Sequence, residues 1–521
     1  AASYAMLNFS IDTADPVRGA LLQRMQEKAT AIETALLFFE LEWAAMDDDR
    51  AEELLATEGL DFARHHLRSA RRYRPHLLSE PEERIFSERA LTGRTAWTRL
   101  FEEQASAITV ELPDATEPVS LEVAMSRLFS PDREQRRDTA ERVTTALKPG
   151  LRTRAFAFNT LLADKMVEDR LRSFPNWLSS RNLANEASDE SVQALVDAVR
   201  ARYELPRRWY RLKAQLLGLD KLADYDRLAP VSDDDEQVGW TEARDLVLDS
   251  YGSFSPELGG LVERFFDERW IDAPVRPNKR GGAFCAYTVP SAHPYVLLNY
   301  TYKRRDVMTL AHELGHGVHQ VLAAPNGALM APTPLTLAET ASVFGEMLTF
   351  RRLLEKTADP VQRKAMLAAK VEDMINTVVR QIAFYSFERK VHLERRKGEL
   401  TADKLGELWM SVQDESLGPA IRLGEGYENF WTYIPHFVHS PFYVYAYAFG
   451  DCLVNSLYGV YQNANQGFVE RYFAMLSAGG TKHHSELLAP FGLNARDPAF
   501  WQIGLSMIEG LIKELEEFER D

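Results

Sequence analysis

The chain has 521 residues, 45% hydrophobic and 26% charged, with 61 Lys and Arg against 77 Asp and Glu and a net charge of −16. Domains run to roughly 100–200 residues, so this length allows two to four folding units, and the composition excludes disordered and collagen-like chains. The acidic balance disfavours nucleic acid as a partner, because phosphate binding needs a net basic face.

The opening AASYAMLNFS has no basic stretch followed by an apolar one, so no secretory signal is read there and a cytoplasmic location is expected. Residues 16–47 begin at Pro16 and place Leu21, Leu22, Met25, Ala29, Ile32, Leu36 and Leu37 at the spacing of a long amphipathic helix. Similar patterns occupy 49–58, 82–110, 133–166, 189–217, 240–267, 361–397, 402–416, 466–477 and 499–519, so the class is mainly α. Two charge clusters, Arg64, Arg68, Arg71, Arg72 and Arg74, and the acidic run Asp233–Glu236, read as solvated faces.

The helical pattern breaks between Pro274 and Tyr302. Gly281, Gly282, several prolines and the apolar run Tyr295–Thr301 predict two short strands joined by a turn-rich loop. Cys285 and Cys452 are too far apart for a CxxC motif and too few for a disulfide framework, and they read as small hydrophobes in a reducing compartment. The stretch Pro441–Tyr461 is long enough to span a bilayer but carries Asp451, Asn455 and five tyrosines, so a buried helix with a wet side is expected rather than a membrane segment.

Residues 306–322 read DVMTLAHELGHGVHQVL. His312 and His316 stand four apart, so on a helix both imidazoles face one way and can bind one Zn²⁺. Glu313 points to the side, where it can take a proton from a water activated by the metal. Asp306 can cap this helix, and Val307, Leu310, Ala311, Leu314, Val318 and Val321 supply its apolar contacts. A catalytic zinc needs a third protein ligand and an open position. The next helix signal, 336–350, contains Glu339, 23 residues after His316. Glu339 has two readings: zinc ligand, or the acidic member of a capping box with Thr336. Glu346, seven residues on, is a candidate acceptor for a ligand histidine. His319 lies beyond the pair and is read as structural or as a support for the ligands.

HELGHGVHQ followed by AETASVFGEML resembles the oligoendopeptidase F branch of the M3 zinc peptidases. The resemblance extends upstream through RGGAFCAYTVPSAHPYVLLNYTYKRRDVMTL and downstream to YIPHFVHSPFYVYAYAFG. It implies an almost all-α, zincin-type fold around a deep substrate channel, with a small β-sheet beside the active site. An N-terminal helical region, 1–130, and a catalytic domain, 131–521, are expected. The resemblance implies His312, His316 and Glu339 as ligands of one zinc per chain, and Glu313 as general base and acid. It also implies that the downstream block supplies a histidine, matched by His436, and tyrosines that face the scissile carbonyl. Tyr443 and Tyr447, four apart, are the best tyrosine candidates; Tyr445 points elsewhere if the segment is regular helix.

The expected activity is hydrolysis of internal bonds in short peptides, with no nucleic-acid or membrane partner. Imidazole and phenol donors would stabilise the tetrahedral oxyanion. The strand Tyr295–Thr301 is expected to pair with an extended substrate backbone, and Gly424, Gly426 and Tyr427 offer either a closing loop or an ordinary turn. The alternative is a zinc carboxypeptidase or dipeptidase, which needs a charged anchor for a peptide terminus; no single Arg or Lys identifies itself as one. A non-enzymatic scaffold with structural zinc fits less well, because such sites are closed by four Cys or His ligands.

Overall fold

The computed structural model describes residues 1–232, 237–463 and 466–518, so the acidic run Asp233–Glu236 lies outside the described residues. The fold is mainly α, with small sheets inserted between helices. Contact density divides the chain into two compact units interleaved along the sequence. The first joins Ala1–Leu77, Asp235–Ala358 and Leu453–Asn494; the second joins Leu78–Asp234, Asp359–Cys452 and Ala495–Asp521.

Several predicted helices are present but divided. The stretch 82–110 holds helices Glu80–Ala90 and Arg94–Ser106, and 133–166 holds Arg133–Leu147 and Leu151–Leu171. The breaks fall at Leu91–Gly93 and at Pro149-Gly150, where Gly150 takes the left-handed conformation (φ +73°) that glycine adopts without steric cost. The stretch 240–267 divides at Ser255, whose side chain caps the helix that begins at Pro256.

In the first unit, helix Pro16–Ala45 forms as the periodicity predicts, but its apolar side is not core. Ile32, Leu36 and Phe39 are each at least half exposed, whereas Trp43 and Ala44 at its C-terminal end are buried, Trp43 together with Ala51 and Leu55. The arginine cluster is a partly exposed face, as expected, but it is paired, and Arg71 is largely covered. Arg71 donates to the carbonyl of Met46 (2.6 Å), Arg68 pairs with Glu52 (2.7 Å) and Arg74 with Asp48 (2.8 Å). These bonds tie helix Arg64–Arg71 to the C-terminal end of helix Pro16–Ala45 and to helix Asp48–Leu55.

The sheet of this unit has three strands rather than two. Phe284–Ala286 pairs antiparallel with Tyr295–Tyr300, and Ile271–Pro274 pairs with the other side of Tyr295–Tyr300 in parallel. Tyr295–Tyr300 is therefore central, and both its edges are occupied. This rules out the peptide pairing expected along Tyr295–Thr301; the outer edge on the loop side belongs to Phe284–Ala286. The strand Ile271–Pro274 escaped notice because four residues carry too little alternation.

The motif segment forms helix Arg304–Ala323, which directly follows the central strand. Asp306 caps it from the third helical position, accepting from the backbone N–H groups of Thr301 (2.6 Å) and Lys303 (3.1 Å). Its apolar side, Val307, Leu310, Ala311, Leu314 and Val318, is fully buried.

The second unit is built on helices with buried ion pairs. Asp226 is fully buried between Arg133 and Arg136, and Glu372 accepts from Trp209 (2.9 Å) and Lys213 (2.8 Å). The Gly424–Tyr427 segment is a pinned turn, not a closing loop. Tyr427 is buried and its hydroxyl accepts from Arg227 (3.2 Å), Gly424 N–H donates to Asp224 (3.0 Å), and Gly426 is left-handed (φ +87°). No helix among the described residues is long and apolar enough to cross a membrane. The candidate span is instead helix Tyr445–Asn463, with Asp451 and Asn455 buried.

Candidate metal centre

On helix Arg304–Ala323, His312 and His316 turn the same way, their ring centroids 4.9 Å apart. The chain then runs through a loop to a short helix, Leu335–Ala338, and breaks before helix Ser342–Lys356. Glu339 stands in that break with φ −84° and ψ 0°. It does not occupy the third position of a helix capped by Thr336, so the capping-box reading is removed. Its carboxylate lies 3.3 Å from Nε2 of His312 and 3.5 Å from Nε2 of His316, and accepts from the Ser342 hydroxyl (2.7 Å).

Gly315, inside the motif, permits this approach. A Cβ there would sit 2.4 Å from the Ala341 carbonyl oxygen and 2.6 Å from Ser342 Cα. Only a glycine lets the backbone that carries Glu339 rest on the motif helix. On the far side, Tyr251 donates to the Ala311 carbonyl (2.7 Å), and its ring fills the space that a side chain at Gly345 would need.

Two imidazole nitrogens and one carboxylate oxygen thus lie within 4.8 Å of one another. That donor set fits zinc, which binds imidazole and carboxylate at about 2.0–2.2 Å and keeps a position open in catalytic sites. The electrostatics suit a cation. Burial alone would lower the pKa of His312, but hydrogen bonds to Glu339 and Glu346 outweigh it and raise it to about 10. Burial would raise Glu339, yet His312 and His316 hold it at about 2. His316, chiefly through burial, is lowered to about 4 and stays neutral, whereas His312 holds a proton between its two carboxylates that a bound cation would displace.

Glu313 is buried and lies beside these groups. Burial pushes its pKa up to about 7, and a hydrogen bond from the Cys285 backbone acts in the opposite direction. A carboxyl poised near neutrality can both take and return a proton. Glu346 lies 3.3 Å from Nδ1 of His312. His319 is buried beyond the pair.

Tyr287, not singled out within the upstream block, is placed here by the loop after Phe284–Ala286. Its hydroxyl is 3.3 Å from Nδ1 of His316. An oxygen at that nitrogen accepts the ring N–H and leaves Nε2 free for a metal. Its sequence signal is its place in the upstream block that carries the resemblance, directly after Phe284–Ala286.

The downstream block lies in the second unit. His436 is in the short helix His436–His439 and its Nε2 is 3.3 Å from the Tyr447 hydroxyl. Tyr443 is not on the same regular helix as Tyr447. It sits in the turn before helix Tyr445–Asn463, yet its ring is 6.0 Å from His436 and 5.3 Å from Tyr447. Tyr445 points away into the interior, fully buried, where its hydroxyl accepts from Asn185 (2.9 Å).

Residues 260–507 match the profile of peptidase family M3, and residues 42–109 match that of oligopeptidase F. The chain is 25% identical to oligopeptidase PepF of Bacillus subtilis, over 99% of this chain and 78% of that protein. It is 26% identical to group B oligopeptidase PepB of Streptococcus agalactiae, over 95% of this chain and 84% of that protein. Among solved structures, a candidate peptidase from Chlamydophila abortus superposes with a TM-score of 0.90 at 25% identity, covering 99% of this chain and 88% of that one. Oligoendopeptidase-F from Enterococcus faecium shares the fold with a TM-score of 0.76 at 24% identity, over 99% and 90% of the two chains.

Proposed function

Because the chain belongs to peptidase family M3, in its oligopeptidase F branch, we propose that this metallo-oligoendopeptidase uses one zinc ion per chain to hydrolyse internal bonds of short peptides. The observation that carries the reading is the convergence of His312, His316 and Glu339 within 4.8 Å, with Glu313 beside them. Bound there, zinc would polarise the scissile carbonyl and acidify a water.

The protein's own groups divide the remaining work. Glu339, His312 and His316 hold the metal, and Glu346 and Tyr287 orient the two rings through Nδ1. Glu313 takes the proton of the attacking water and passes it to the leaving amine. His436 with Tyr443 and Tyr447 donates to the oxyanion of the tetrahedral intermediate; their mutual contacts support a joint role. The substrate backbone pairs with the outer edge of Phe284–Ala286, which gives sequence-tolerant binding because main-chain bonds ignore side chains. The catalytic part begins near residue 131, and the protein works in the cytoplasm.

Zinc analysis combined with an assay on peptides blocked at both ends and on their unblocked counterparts tests the reading. About one zinc per chain with internal cleavage of blocked peptides is expected. Cleavage confined to free termini would instead make the protein a carboxypeptidase or dipeptidase. Full activity in a chelator-treated, metal-free sample would remove the metal from the mechanism.

A further inference from the structure

We infer that Glu388 is a positioning residue: it locks the backbone of Phe442 in a strained conformation and thereby presents Tyr443 to the reaction. This inference rests on the reading of Tyr443 as an oxyanion donor and adds the device that places it.

Phe442 has φ +59°, a left-handed conformation that costs a bulky L-residue free energy and persists only where the surroundings over-determine it. The reversal has a local consequence. It folds Ser440–Tyr443 into a turn closed by the Tyr443 N–H on the Ser440 carbonyl (3.0 Å). The turn sets the Tyr443 ring beside His436 and Tyr447, although Tyr443 precedes the helix that carries Tyr447.

One helix face holds Phe442. Tyr385, Glu388 and His392 are spaced three and four apart on helix Arg380–Arg395, so they share a side. The Phe442 ring is fully buried between Tyr385 (5.8 Å) and His392 (5.0 Å), and its N–H donates to Glu388 Oε1 at 2.8 Å. The flanking carbonyls are held too: Arg181 donates to Pro441 (3.1 Å) and Arg94 to His439 (3.2 Å).

Packing of the ring and hydrogen bonding of the backbone share this work. Behind the turn is a cavity of about 220 Å³, lined by Phe437, Val438 and Pro441 together with Arg94, Arg181 and His392. Phe442 does not line that space: the bonds from Arg181 and Arg94 hold the cavity side of the turn, and the buried ring together with Glu388 holds the other. Glu388 itself is an expensive choice for a core position. It is 1% exposed, and among the described residues no donor reaches its second oxygen. An apolar residue would pack more cheaply but would leave the Phe442 N–H without an acceptor.

The test compares Glu388→Ala, Glu388→Gln, Tyr443→Phe and the Glu388→Ala/Tyr443→Phe double variant in the full-length, zinc-loaded protein. The readouts are kcat, KM, metal content and melting temperature. Glu388→Ala is expected to lower kcat by about 10–100-fold, as a small misplacement of a catalytic group does, with KM and zinc content little changed. Glu388→Gln keeps an oxygen acceptor and should recover most of that loss. The double variant should be no slower than the worse single one, because both changes remove the same donor. Loss in Tyr443→Phe with normal kcat in a folded Glu388→Ala overturns the inference alone. A silent Tyr443→Phe overturns the oxyanion reading of Tyr443 and the inference with it. Equal losses in Glu388→Gln and Glu388→Ala overturn the acceptor role. If Glu388→Ala does not fold, Glu388→Leu, which fills the buried volume without an acceptor for the Phe442 N–H, carries the same comparison of kcat against KM: a loss in kcat alone supports the clamp, and an unchanged kcat overturns it.

Discussion

Glu346 lies 3.3 Å from Nδ1 of His312, while Nε2 of the same ring lies 3.3 Å from Glu339. One imidazole is thus held between two carboxylates, one on the metal side and one behind it. The rear carboxylate fixes which nitrogen carries the proton and makes the ring a better ligand. Glu346→Ala should therefore weaken zinc affinity by about 10–100-fold. Glu339→Ala, which removes a ligand oxygen, should weaken it far more. Competition with a chelator of known affinity measures both, and equal retention would return Glu339 to a purely structural role.

Glu313 is not a ligand in this scheme. Glu313→Gln should keep zinc and melting temperature and lose most turnover, because the amide cannot accept the proton at neutral pH. Near wild-type cleavage by that variant would remove Glu313 from the mechanism.

The three tyrosines of the downstream block separate by what their hydroxyls do. Tyr443→Phe and Tyr447→Phe should each lower kcat on the order of 10²-fold, with little change in KM. Tyr445→Phe removes the buried partner of Asn185 and should instead cost about 1 kcal/mol of stability with kcat preserved. Steady-state kinetics and denaturant titrations of the three variants decide this.

Gly315 couples the fold to the site. Gly315→Ala would drive a Cβ into the Ala341 carbonyl, 2.4 Å away, so the segment carrying Glu339 must shift. A cost of about 1–3 kcal/mol is expected from overpacking, together with weaker zinc retention. Loss of stability with zinc binding intact would show that the segment moves without carrying Glu339 along.

Burial holds Glu388 at about 8, against 4.5 for an unhindered glutamate. Between those values the folded state binds more protons than the unfolded one, so this residue's contribution to stability falls as pH rises and is constant again above about 8. Glu388→Gln does not titrate. Its urea midpoint should gain steadily on that of the wild type from pH 5 to pH 8. A constant difference would mean that Glu388 ionises normally in the folded protein.

Much of this protein is written in local spacing. Helices carry their own period, so His312 and His316 could be placed on one face from the four-residue interval, with Glu313 to the side. The helix breaks that were missed fall at local punctuation, at Pro149-Gly150 and before Pro256, where backbone geometry ends one helix and starts the next. Tertiary structure decided the rest, because the deciding contacts join residues far apart or depend on a backbone state that periodicity does not encode. Glu339 had two local readings: the end of helix Leu335–Ala338 before it removes the capping one, and the close approach allowed at Gly315 brings its carboxylate to the histidines. Tyr295–Tyr300 read as a strand open to substrate, yet pairing with Ile271–Pro274 makes it central and leaves the edge to Phe284–Ala286. Tyr443 was expected beside Tyr447 by helical register. It arrives there through the left-handed Phe442, held by Glu388 from a helix more than fifty residues earlier.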